Sequence, residues 1–306
     1  MHWLLAVLIG HFLNAISYVL DKVLLTKSIT NPYAFTFFIG ILGLLGIVLI
    51  PFGFEIPEGK LIALNLITGA LYIGALLFFF LALKGAEASR IVPFIGGGIP
   101  LFTWIFELLF LDERLTGGTL LAFGILVVGT IVIAIEVGGD SEKKEKQGVK
   151  AWLFGSGAAV LFAISFGLTK IAYDAQPFFS AFVWQRFGSF AIALVFLLWA
   201  SHRKAIKESM SIFKEKAGLY YIIAQAFGAG GFIFVNYAIS LASVSLVNAL
   251  QGVQYAFLLV MAVVASVKWP KLLQEAMTHK SLVVKIIGVI IISIGLYLVS
   301  QSALNG

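Results

Sequence analysis

Along this chain, long apolar runs alternate with short polar gaps. The runs cover residues 3–20, 33–51, 61–83, 88–111, 117–137, 151–172, 178–200, 218–241, 243–267 and 281–300. A helix needs about 20 apolar residues to cross the hydrocarbon core of a bilayer. The pattern therefore predicts ten transmembrane helices, the tightest joint falling at Ala242. The fourth run contains PFIGGGIP, Pro93 to Pro100. Prolines and glycines at this density usually mark a turn. The choice is between a turn that returns the chain to the side it came from and a break within one crossing helix.

The gaps decide between these. Of the 21 Lys and Arg residues, 17 lie after odd-numbered runs; Lys60, Arg114 and Lys170 lie after even-numbered ones, and Arg186 lies inside the seventh run. Loops rich in Lys and Arg stay in the cytoplasm. With a turn at PFIGGGIP, the remainder of the run, Leu101 to Leu111, is too short to span. Every later loop then changes side, and the division worsens to 14 against 6. The fourth run is expected to cross with its break inside the membrane. Both termini are expected outside the cytoplasm, and the chain is placed in the cell (inner) membrane.

Composition agrees. Of 306 residues, 60% are hydrophobic and only 12% charged, with a mean hydropathy of +1.03, about half the charge of an ordinary soluble domain. The net charge of +6 is confined to the gaps and forms no nucleic-acid stripe. The absence of cysteine excludes disulfides and thiolate chemistry. MHWLLAVLIG lacks a basic n-region, and no cleavage signal follows, so the first run is read as a retained helix. No hydrolase elbow, phosphate loop, metalloprotease motif or carboxylate dyad is present, and GGG at 96–98 follows no strand. His11 has no second metal ligand at i+4. Neither an enzyme, a cofactor nor a metal is expected.

The chain also repeats. NAISYVLDK (14–22) matches FAISFGLTK (162–170) at five of nine positions, and each is followed by an X-Pro turn, Asn31-Pro32 and Gln176-Pro177. ALKGAEASRIV (82–92) aligns with AISLASVSLVN (238–248) at three of eleven. The charged stretch GGDSEKKEKQG (138–148) falls between the halves. Five spans per half is an odd number, so the second half enters from the opposite face. The fold expected is an all-α integral membrane protein of ten transmembrane helices in two inverted five-helix repeats, residues 1–137 and 151–306, joined by a charged cytoplasmic linker at 138–150. Inverted repeats build two equivalent gates around one central site.

Residues 81–133, LALKGAEASRIVPFIGGGIPLFTWIFELLFLDERLTGGTLLAFGILVVGTIVI, resemble the signature of EamA-type drug/metabolite transporters. The shared elements are the small residues Ala86, Ala88 and Ser89, the mid-span Pro100, the E-x-L turn from Glu113 to Leu115, and the glycine-punctuated helix of Gly124 and Gly129. Lys22 and Lys170 near the ends of the first helix of each half fit as well, as does the spacing from Pro177 to Arg186. The resemblance implies a ten-helix transporter whose cavity is lined by the first, third and fourth helices of each half, with the fifth peripheral. It names no ligand.

The candidate site rests on polar groups at membrane depth, which are rare because they are costly to bury. Glu107 lies seven residues past Pro100 and reads as a coupling carboxylate, or as an interfacial one held by water or Arg114. Arg186, about eight residues into its span, suits an anionic or zwitterionic substrate, or pairs with Glu107. His11, Asn14 and Tyr18 share a helix face, as do Asn248, Gln251 and Tyr255; Gln254 is adjacent, and Gln225 and Asn236 stand nearly in line. Such stripes are interhelical glue singly and a polar pocket together. Pro100 and Trp104 complete the predicted substrate site. Pro93, Gly96, Gly97, Gly98 and Gly252 are predicted to gate. The fourth helix is expected to bend more than its counterpart in the second half, so that Gly97→Leu impairs transport more than Gly252→Ala. The stretches KESMSIFKEK and KLLQEAMTHK have the spacing of surface helices or solvated loops.

The function expected is secondary active transport by alternating access of a small polar metabolite such as an amino acid, as an exporter or exchanger. Its partners would be H+ or a counter-substrate and the bilayer, with no nucleic acid and a monomer or homodimer as the unit. A lipid or lipid-linked sugar flippase and a non-transporting membrane receptor or scaffold are the alternatives.

Overall fold

A computed structural model of the chain describes residues 2–25, 31–85, 88–111, 114–115, 117–134, 149–214, 216–268 and 279–305. The linker at 138–148, Ala86, Glu113 and the stretch 270–278 fall outside these residues, as do the side chains of Asp21, Lys22, Ala88, Ser89, Arg90 and Pro93. All regular structure among the described residues is helical. In chain order it comprises α1 (His2–Leu25), α2 (Pro32–Gly43), continued by a 3-10 segment (Leu44–Phe52), α3 (Gly59–Gly85), α4 (Ala88–Phe110), α5 (Gly117–Ala134), α6 (Val149–Ala175) and α7 (Phe178–Val195). There follow α8 (Ala200–Ser209), α9 (Lys216–Leu241), the short α10 (Val244–Ala249), α11 (Gln251–Lys268) and α12 (His279–Asn305).

Eight stretches are long and apolar enough to cross a membrane: α1, α2 with its 3-10 continuation, α3, α6, α7, α9, α10 with α11, and α12. Two shorter apolar stretches lie in α4 and α5, Phe94–Phe110 and Gly117–Ile133. The chain is an all-helical, multi-pass membrane protein.

Helix starts follow local chemistry. Asn31 caps α2, its Oδ1 accepting from the amides of Tyr33 at 3.0 Å and Ala34 at 3.3 Å, and Pro32 takes the first helical position, where a missing N–H is harmless. Pro177 likewise precedes α7. The 3-10 segment stops at Gly53, which takes the left-handed conformation, φ 117°, open to glycine at no steric cost.

The helices pair reciprocally across the two halves. α1 packs on α9 and α3 on α6; α4 packs on α6 and α11 on α1; α5 lies on α12 and α2 on α7. Bilayer lipid is as apolar as leucine, so close backbone approach and interhelical hydrogen bonds hold such contacts. The α3–α7 seam shows how. A Cβ on Gly69 would overlap the carbonyl of Gln185, and one on Gly188 would overlap that of Leu66. Ser189 donates to the Gly69 carbonyl at 3.0 Å, and Gln185 Nε2 to Asn65 Oδ1 at 3.4 Å. A single methyl here must move backbone, which nothing in the seam can absorb. Gly69→Ala and Gly188→Ala are each expected to destabilise by about 1–3 kcal/mol, visible as lower folded yield in size-exclusion chromatography and a lower melting temperature. Gly59→Ala, with open space around it, is the control.

Two sequence expectations need correction. The break predicted in the fourth span is absent: α4 runs as unbroken α-helix through Pro93, GGG and Pro100. The interruption is in the second half, at Leu250 between α10 and α11. The glycines of α4 are used for packing. Gly96 takes the Tyr255 hydroxyl, 2.6 Å from where a Cβ would stand, and Gly98 takes Ala159 at 3.2 Å. Neighbouring helices thus hold α4 in register although Pro100 removes a donor. The second correction concerns 201–217, where α8 docks its Ile206 among Phe35, Phe38, Tyr221 and Ala224. This segment is a packed helix and not a solvated loop.

Candidate functional site

Among the described residues, the polar groups predicted from the sequence fall into three separate clusters. The first is built around Arg186 on α7. Gln185, Gly188 and Ser189 turn one face of α7 onto α3, which aims Arg186 toward the space between α3 and α9. Its stem runs past Gly46, where a Cβ would stand 2.9 Å from Arg186 Cγ. The guanidinium then lies over three rings, with its carbon 4.5 Å from the centroid of Phe232, 5.2 Å from Phe182 and 5.3 Å from Tyr72. Tyr72 and Phe232 are themselves 4.9 Å apart. Beside them, the Tyr173 hydroxyl donates to Asn236 Oδ1 at 3.0 Å, and Asn236 Nδ2 donates to the Phe232 carbonyl at 2.9 Å.

Arg186 is 9% exposed, and its Nε is buried without a hydrogen-bond partner. Ring faces attract a cation, at about 0.5–2 kcal/mol each, but they accept none of its N–H groups in good geometry. A desolvated guanidinium without an acceptor is costly. The arrangement is therefore complementary to an anion that brings its own oxygens.

The second cluster answers the question of Glu107. Glu107 is 1% exposed, and its carboxylate sits at the start of α10. It accepts from the amides of Val244 and of Ser245 (3.1 Å) and from Ser243 Oγ at 3.2 Å. Ser243 is also the N-cap of α10, accepting from Leu246 N. A carboxylate satisfies orphan amides and complements the helix dipole at this end. One turn back on α4, Thr103 Oγ1 accepts from Asn248 Nδ2 at 3.5 Å. Trp104 stacks against Phe123 at 5.8 Å. Glu107 and Arg186 thus have different neighbours: α10 for one, an aromatic box for the other.

The third cluster joins α1 and α11. His11 Nδ1 lies 3.3 Å from Gln254 Oε1, with both side chains buried. Tyr255 follows with its hydroxyl against Gly96.

The predicted stripes are therefore divided. His11 meets α11, whereas the Asn14 carbonyl is packed on Gly231 of α9 and Tyr18 is 41% exposed. Asn236 stands beside the aromatic box; Gln225 is eleven residues away, about 16 Å along the helix. Gln251 is half-buried. Of the gating glycines, Gly252 is the tightest. A Cβ there would strike Thr130 Oγ1 and stand 2.9 Å from Ile292 Cδ1, whereas at Gly97 the nearest atom, Ile131 Cγ1, is 3.0 Å away on a side chain that can move. Like for like, Gly252→Ala is expected to lower thermal stability more than Gly97→Ala, by roughly 1–2 kcal/mol. This reverses the packing order that the proline and glycines of α4 suggested.

Sequence reasoning missed the four aromatics around Arg186 and its neighbours, Tyr72, Tyr173, Phe182 and Phe232. With 28 phenylalanines none stands out. Only Tyr72 and Tyr173, hydroxyl-bearing rings inside apolar runs, carried a signal.

The fold and this interior define a class: a multi-pass helical membrane protein with polar groups enclosed between its helices. Residues 1–135 match the model of the EamA-like transporter family, so the first half of the chain carries the signature of that family. No curated protein matches the chain. A solved crystal structure of a protein superposes on 98% of this chain and 98% of its own, with a TM-score of 0.62 and 19% identity, a likeness of fold alone.

Proposed function

We propose that the protein is a ten-span secondary transporter of a small carboxylate-bearing metabolite, such as an amino acid, that works by alternating access as an exporter or exchanger. One observation carries this reading: Arg186 is buried over three aromatic rings with its Nε unpartnered. A bidentate carboxylate supplies the acceptors that a guanidinium lacks there, while the rings exclude water and fit an apolar or ammonium-bearing remainder. The inverted repeat is supported by the reciprocal pairing of helices, since α1–α9 exchanges with α3–α6, and α4–α6 with α1–α11, when the halves are swapped. In this reading Glu107 and α10 close the outer side, where elements of both halves meet. H+ or a counter-substrate supplies the driving force, both termini lie outside the cytoplasm, and the inner membrane is the location.

The test is proteoliposome flux with a panel of amino acids, nucleosides and sugar phosphates, with and without a pH gradient. Uptake or exchange of a carboxylate solute that disappears in Arg186→Met supports the proposal. No flux of any solute under either condition would sink it. A second reading, a lipid flippase, draws on an open groove of about 370 Å³ between α4, α5 and α6, lined by residues that include Phe94, Gly97, Gly98 and Phe102. Its signature would be scrambling of labelled lipid in the same vesicles without solute flux.

A further inference from the structure

His11 and Gln254 are 4% and 3% exposed, one from each half of the chain. Each uses a single atom in their mutual contact, Nδ1 to Oε1 at 3.3 Å. The other ring nitrogen, His11 Nε2, and the other amide atom, Gln254 Nε2, are both buried and have no partner. Their surroundings offer no compensation: Val7, Val247, Leu250 and Val253 are buried apolar residues of the same cluster. Unpaired polar atoms in apolar surroundings each cost about 1–3 kcal/mol, and native proteins leave few of them. Two such atoms on one contacting pair indicate a binding site.

The chemistry of the missing partner follows from the donor inventory. With Gln254 Oε1 accepting from His11 Nδ1–H, the free atoms are a bare ring nitrogen, which accepts, and an amide NH2, which donates. With the amide turned over, the NH2 donates to Nδ1, and the free atoms become a ring N–H and a carbonyl. Either assignment leaves one donor and one acceptor for a neutral imidazole. That set does not match a carboxylate, which only accepts, or an ammonium, which only donates. It matches a group that does both, a hydroxyl or a carboxamide.

We propose that His11 and Gln254 form a second binding station that takes a hydroxyl or carboxamide of the transported solute, apart from the carboxylate held by Arg186. This rests on the transport reading above, and it narrows the cargo to hydroxy or amide carboxylates. A site built to hydrogen-bond such a group rejects the analogue lacking it far more strongly than an apolar pocket rejects an extra hydroxyl.

Three matched pairs test it in proteoliposomes: L-serine against L-alanine, L-lactate against propanoate, and L-glutamine against L-norvaline. Wild-type protein is expected to favour the hydrogen-bonding member of at least one pair by about tenfold or more, and His11→Leu and Gln254→Leu to bring that ratio within about twofold. The double variant removes both orphaned atoms and is expected to melt about 2–5 °C higher than wild type. If flux occurs and depends on Arg186 but shows no preference in any pair, or keeps its preference in both variants, the station is overturned and the transport reading stands. If the double variant melts lower and the preference is intact, the pair is a structural hydrogen bond and the proposal fails. If none of the six solutes is moved, the carboxylate-transport reading falls and takes the station with it.

Discussion

Arg186→Met is expected to abolish carboxylate flux and leave the protein at least as heat-stable as wild type. The two expectations come from one geometry. Methionine has a similar volume and keeps contact with Tyr72, Phe182 and Phe232, while removing a cation whose Nε finds no acceptor. Replacing a buried charge with an apolar side chain of similar size is often neutral or stabilising. The substrate, in contrast, loses a bidentate charge-assisted contact worth about 1.5–3 kcal/mol per bond, or a hundredfold and more in flux at limiting concentration. Arg186→Lys is expected to retain little activity, because an ammonium offers a point charge and not a planar fork. Thermal melts and initial rates on the same preparations check both. Normal flux in the Lys and Met variants at normal expression would remove Arg186 from the site. A large fall in melting temperature in Arg186→Met would make its role structural.

The second large effect is expected at Glu107. Three donors converge on its carboxylate, the amides of Val244 and Ser245 and the Ser243 hydroxyl, inside a contact that excludes water. Glu107→Ala leaves them orphaned, at a cost of about 2–4 kcal/mol, and frees α10 from α4. Glu107→Gln keeps one acceptor and surrenders the charge, so its loss is about 1–2 kcal/mol. The melting temperatures should fall in the order wild type, Gln, Ala. Equal falls would mean that the carboxylate is not acting as a cap. A Gln variant of near-normal stability that exchanges solute but no longer responds to a pH gradient would assign Glu107 the coupling role as well.

Much of the architecture was legible because it is local. Runs of about 20 apolar residues must be helical in lipid, and Asn31-Pro32 carries its own cap. The EamA resemblance drawn from residues 81–133 matched over residues 1–135. The site was legible only as a parts catalogue. Glu107 and Arg186 were visible because charge at membrane depth is conspicuous. Their partners were not, since Ser243 and the rings of Tyr72, Phe182 and Phe232 are ordinary residues in remote segments. PFIGGGIP misled for the same reason. Its prolines and glycines lower the local resistance to bending, but whether the helix bends depends on what fills the space beside it. Tyr255 and Ala159 fill that space, and the interruption lies instead at Leu250, a stretch with no proline.

By itself, then, the sequence determined the solvent, the helices and the presence of polar groups within the membrane. Hydropathy and backbone satisfaction act over a few residues and leave no other solution. Only the tertiary structure decided which groups meet: Arg186 with an aromatic box, Glu107 with the start of α10, and His11 with Gln254. Those meetings depend on which glycines let which helices approach, and one apolar face in lipid resembles another until the backbones are brought together.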